Sequence, residues 1–133
     1  MQATAGSKGT VKRLLMIAAL AEAATGVALV AYPPIVVRLL FASDISGAGV
    51  IMSRIAGISL IALGLSCWPG GSRVRAFYGM LTYSALAMFY LTVLGLGGQA
   101  GILLWPGVAV HAAIIALLIR GRTRAKQAQY KEE

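Results

Sequence analysis

The sequence predicts an all-α protein, a bundle of four transmembrane helices with a short interfacial helix between spans 1 and 2. Three observations carry this. Four apolar runs, at about residues 13–32, 48–68, 74–96 and 101–119, recur along a chain of 133 residues. Each is long enough, because ~20 residues at ~1.5 Å rise cross a ~30 Å hydrocarbon core. The chain is also 59% hydrophobic and only 12% charged, whereas soluble domains are ~45–50% apolar and ~25% charged. A water-soluble core of this size cannot hide that much apolar surface, so the bilayer must be the solvent. Finally, the +8 formal charge gathers at segment ends and not in one stripe, which orients a membrane protein and argues against nucleic-acid binding.

The chain opens on a small, polar stretch, residues 1–12, expected to be disordered in the cytoplasm. Lys12 and Arg13 lead into the first apolar run, LLMIAALAEAATGVALVAY. A basic start with small residues at Ala21 and Ala23 also fits a cleavable signal peptide, but the run continues past Gly26 and exceeds a signal core of ~7–15 residues. Pro33 and Pro34 end or kink this helix. The next apolar stretch, IVVRLLFA, is too short to span. Its apolar residues recur at helical spacing, so it reads as an interfacial helix with Arg38 among the headgroups. Asp44 or Ser46 is a plausible N-cap for the second span. Pro69, Gly70 and Gly71 make a tight turn before the third, Gly97 and Gly98 an uncharged turn before the fourth. A basic cytoplasmic tail, residues 120–133, closes the chain.

With four spans, Lys8, Lys12 and Arg13, then Arg73 and Arg75, then Arg120, Arg122, Arg124, Lys126 and Lys131 fall on one side. The positive-inside rule makes that side the cytoplasm, so both termini are in and the expected location is a bacterial inner membrane. Trp68 and Tyr78 near the inner boundary, and Tyr32 and Trp105 near the outer one, fit interfacial aromatic belts. Arg38, Arg73, Arg75, Arg120, Arg122 and Arg124 are the expected lipid-headgroup contacts.

The informative residues are the few polar ones inside the spans. Glu22 is the single carboxylate within the apolar runs. An ionisable group in hydrocarbon costs several kcal/mol, so it faces protein or a water cavity and has a partner. Glu22, Tyr83 and His111 lie eight or nine residues from the cytoplasmic ends of their spans, ~12–14 Å in and near the midplane. Arg54 lies ~9 Å nearer the outer face, within side-chain reach of Glu22 or free to snorkel outward. Each has a small residue a turn or so away on its own helix: Gly26, Gly57 and then Gly64, Gly79, and Gly107. Small residues mark the faces on which membrane helices pack. The expectation is an inward-facing cluster of Glu22, Arg54, Tyr83 and His111, with Glu22 and Arg54 as an internal ion pair or as part of a proton or substrate site.

Several chemistries are excluded. There are four acidic residues, two of them the terminal Glu132 and Glu133, and no nucleophile triad or phosphate-binding glycine loop, so no enzymatic activity is expected. With one histidine and one cysteine, no metal or other cofactor is expected; haem would need His111 from two copies. Cys67 reads as a small hydrophobe.

Two resemblances add expectations. Ala21, Glu22, Gly26 and Leu29 in the first of four spans resemble the small multidrug resistance transporters. That resemblance implies a mid-membrane glutamate that binds protons and cationic drugs in competition, and it carries over only Glu22. The chain departs from that family in lacking its helix-3 tryptophan and in carrying Arg54. A broader likeness, in Glu22 with Gly26, Pro33, Arg54 with Gly57, and Gly64, Leu65 and Trp68, is to small uncharacterised bacterial four-span proteins. It implies a fold and a membrane location. The expected role is a structural or accessory membrane component, as a homo-oligomer or within a larger complex; the alternative is a proton-coupled small-molecule transporter or exporter using Glu22.

Overall fold

The computed structural model describes residues 2–68 and 72–130. The turn at residues 69–71, Lys131, Glu132 and Glu133, and the side chains of Lys8, Arg73 and Lys126 lie outside the described residues. Among the described residues five helices follow in order: α1 (Gln2–Ala31), α2 (Pro33–Phe41), α3 (Ala48–Ser66), α4 (Arg73–Leu96) and α5 (Leu104–Tyr130). Four contain stretches long and apolar enough to cross a membrane: Val11–Ala31, Ala48–Ser66, Val74–Leu96 and Leu104–Arg124. The described residues form no strand. Large apolar side chains point outward around the bundle, with Ile17 at 67%, Leu86 at 64% and Leu96 at 78% exposure. A surface of that kind suits lipid or another apolar protein face and not water.

The bundle is organised around α1, which shows different faces to its neighbours. At about 100° per residue, Ala19, Ala23, Gly26 and Val30 form one row. This row meets α3 with almost no side chain between the backbones. A methyl at Gly26 would sit 2.5 Å from the Gly57 carbonyl oxygen, and one at Gly64 would sit 2.6 Å from that of Ala19. These pairings run in opposite directions along the two helices, so α1 and α3 are antiparallel. A second row, Val11, Leu15, Ala18, Glu22 and Leu29, is turned by roughly 80° and is buried throughout. Its lower part joins Cys67, Ala76, Phe77, Met80 and Leu118 in the main apolar core. α5 also runs antiparallel to α1, with Gly121 against Val11 at one end and His111 facing Glu22 at mid-span.

α4 and α5 form a hairpin closed at Gly95, where a methyl would lie 2.8 Å from Leu104 Cδ2 and 3.1 Å from the Trp105 ring. Gly98 takes a left-handed φ of 85° in the turn, which glycine adopts without steric cost. α2 starts on Pro33, where the missing N–H is no loss. It stops at Ala42, which is left-handed at φ 52°. The last carbonyls of α2 are taken by the loop after α4: Gly101 N donates to Leu40 O at 2.8 Å and Leu103 N to Leu39 O at 2.9 Å. The loop backbone therefore caps α2 and holds it at one end of the bundle.

Three boundaries differ from those expected. The N-terminal stretch, expected to be disordered, is drawn into α1, which starts at Gln2. The basic tail continues α5 to Tyr130. The fourth span begins at Leu104 and not near 101, because residues 101 and 103 spend their amides on α2.

Candidate functional site

Glu22 occupies the middle of the buried row of α1 and is 5% exposed. Its neighbours come from two other helices. Tyr83 of α4, half-buried, lies beside the carboxyl. His111 of α5 places Nδ1 3.9 Å from Glu22 Oε1, with both side chains largely buried. The Tyr83 and His111 rings meet edge to face, 5.7 Å between centroids and 74° between planes. The arrangement follows from the antiparallel register of α1 with α5, which brings position 22 level with position 111, and from the bundle topology, which sets α4 beside both.

Arg54 is not part of this cluster. It is exposed on α3 and makes no ion pair among the described residues. Two geometric facts account for this. Residues three apart on a helix differ by about 60°, so Arg54 is rotated off the row of Gly57 and Gly64 that meets α1. Since Gly26 faces Gly57 and Ala19 faces Gly64, position 22 is level with about position 61, which is ~10 Å along α3 from Arg54. The expected pair of Glu22 with Arg54 is replaced by Glu22 with Tyr83 and His111.

Ser84 was not singled out from sequence. It is fully buried, and its Oγ, like His111 Nδ1, has no hydrogen-bond partner among the described residues. Its position could have been found, because it lies four residues after Met80 and seven after Phe77 on the buried face of α4.

The five small residues assigned to packing divide into two kinds. Gly26, Gly57 and Gly64 lie where the α1 and α3 backbones touch. Gly79 and Gly107 do not mark close approach: a methyl there would find its nearest neighbours at 3.8 Å, Cys67 Sγ, and 3.6 Å, Leu91 Cδ1. Cys67 is buried and directs its thiol toward Ala76 O at 3.6 Å, tying the end of α3 to the start of α4.

Among the basic residues, Arg38 is exposed and stands 3.9 Å from Asp44, and Arg75, Arg120 and Arg124 are exposed. Arg122 behaves differently from the headgroup contact expected of it. Its guanidinium lies 4.8 Å from the centroids of both Phe77 and Tyr78, so it clamps α5 onto α4.

No three His, Cys, Asp or Glu side chains converge among the described residues. What the cluster offers is one carboxyl, one phenol and one imidazole in mutual contact at mid-span. They can tie three helices together and can share a proton among acceptors and donors that are largely buried. The chain matches no protein-family model, no curated protein and no solved structure.

Proposed function

We propose that this chain is a small non-enzymatic component of a bacterial inner membrane, structural or accessory in role, with both termini cytoplasmic and α2 at the outer interface. The observation behind this reading is the burial of Glu22 against Tyr83 and His111. A polar tie of that kind fixes the register of α1, α4 and α5 where lipid-like packing alone distinguishes registers poorly. The clustering of basic residues at one end of the bundle supports the orientation. Self-association, or attachment to a larger assembly, accords with the wide apolar faces of α3 and α4.

A second reading, proton-coupled transport of a small molecule, is favoured by one observation. With Arg54 elsewhere, no arginine or lysine pairs with Glu22 among the described residues, and the polar groups beside it, Tyr83 and His111, can themselves exchange a proton. Glu22→Gln separates the two. As a tie, the carboxyl contributes on the order of 1–3 kcal/mol, and the variant unfolds more readily in detergent. As a transport group, the variant keeps its stability and loses proton uptake on addition of substrate. Mass spectrometry of gently purified protein, read for co-purifying subunits, tests the accessory role directly.

A further inference from the structure

A groove of about 180 Å³ lies between α1 and α5, bordering the apolar core at Ala18 and Leu118. It is lined by apolar side chains alone, among them Leu14, Ile17 and Ala21 from α1 and Val110, Ala113 and Leu117 from α5. Ile17, Val110 and Leu117 are exposed, so the groove opens to the surroundings of the bundle. It extends from mid-span, beside Ala21 and Val110, to the end of the bundle that carries the basic residues.

Three arginines stand where it ends. Gly121 abuts Val11 and His111 faces Glu22, so position 13 of α1 is level with position 119 or 120 of α5. Arg13 and Arg120 therefore flank the mouth at one height. Arg13 lies four residues before Ile17, and Arg120 and Arg124 lie seven after Ala113 and Leu117. These spacings set the arginines beside Ile17, Ala113 and Leu117, at the outer rim of the face that lines the groove. All three are exposed and take part in no ion pair or ring contact among the described residues. Arg122, by contrast, is already engaged with Phe77 and Tyr78. The described carboxylates, Glu22 and Asp44, lie at mid-span and beside α2, away from this mouth.

We propose that the groove and its arginines form a binding site for one anionic glycerophospholipid of the adjacent leaflet. One acyl chain lies along the groove, and the phosphodiester sits between Arg13 and Arg120, with Arg124 a turn beyond. An open apolar groove accepts a stretch of lipid tail, and paired guanidinium groups at its mouth select a phosphate without a compensating cation. Phosphatidylglycerol carries such a headgroup, whereas phosphatidylcholine carries its own positive charge.

The test is native mass spectrometry of the whole protein released from nanodiscs of equal palmitoyl-oleoyl phosphatidylglycerol and phosphatidylcholine. Wild type retains one phosphatidylglycerol in preference. Arg13→Gln with Arg120→Gln lowers the glycerol-to-choline ratio at least tenfold. Lys12→Gln with Arg75→Gln removes the same charge and leaves the ratio within twofold, because Lys12 is about 140° around α1 from Ile17 and Arg75 is on α4. Ala113→Leu narrows the groove and reduces retention with the arginines intact. Should the first double variant fail to fold, Arg124→Gln alone must lower the ratio. The proposal is overturned if Arg13 and Arg120 can be replaced without change, if the Lys12 and Arg75 pair matters equally, or if Ala113→Leu retains lipid as wild type does.

Discussion

Adding one methyl at Gly57 probes the seam that holds α3 to the rest of the bundle. The new carbon would lie 2.6 Å from the Gly26 carbonyl oxygen, 2.9 Å from Val30 Cγ2 and 3.0 Å from Leu29 Cβ. Carbon and carbonyl oxygen rest at about 3.3 Å or more, so α1 and α3 must part by roughly 0.7 Å at this point. A radial gap of that size forfeits about a quarter to a half of each dispersion contact along the seam. The nearest obstacle is the Gly26 backbone carbonyl, which cannot swing away as a side-chain tip can. Overpacking of this kind costs about 1–3 kcal/mol, and removing a mid-helix glycine returns up to about 1 kcal/mol. Gly57→Ala should therefore lose about 1–2 kcal/mol. Reversible unfolding in mixed dodecylmaltoside and dodecylsulfate micelles, followed by far-ultraviolet circular dichroism, reads this directly. Gly79→Ala and Gly107→Ala are the controls. Their methyls meet nothing closer than 3.6 Å, so they should be neutral or gain up to about 1 kcal/mol. If Gly79→Ala destabilises as much as Gly57→Ala, the distinction between backbone contact and open space is wrong.

Other consequences are equally specific. Arg54→Gln should change detergent stability by less than about 0.5 kcal/mol, as expected for a surface position; a loss of several kcal/mol would mean a buried partner. Arg122→Gln should cost about 0.5–2 kcal/mol through the lost contacts with Phe77 and Tyr78, visible as a lowered melting temperature, and Arg75→Gln should not. At Gly101 a methyl would run into the Leu39 carbonyl, so Gly101→Ala should release the cap on α2 and speed amide exchange at Leu103 while leaving the α1 amides unchanged.

How much of this was legible in the sequence depends on which physical signal is asked. The four spans and α2 follow from run length, from Pro33 and from the glycine turns, because hydrocarbon thickness and backbone sterics act locally. The depth of Glu22, Tyr83 and His111 was likewise countable from residue number along each helix. Rotation was harder. A small residue three positions away shares a face only loosely, and that 60° slack is why Arg54 could be assigned inward when its helix turns it out. Contact distance was invisible as well. Nothing local separates Gly57 from Gly79, since the difference lies in which helix stands opposite. Ser84 fell from view because its hydroxyl carries no charge to flag it, although its spacing from Phe77 and Met80 marks the buried face of α4. Arg122 resembles its neighbours Arg120 and Arg124 in sequence, and only the fold brings Phe77 and Tyr78 beneath it.

The most direct measurement is a pair of double-mutant cycles for unfolding in detergent. Glu22→Gln with Tyr83→Phe should show a coupling of about 0.5–3 kcal/mol, and Glu22→Gln with Arg54→Gln should be additive within about 0.5 kcal/mol. Additivity in the first cycle and strong coupling in the second would contradict the account, because it would return the carboxyl to Arg54.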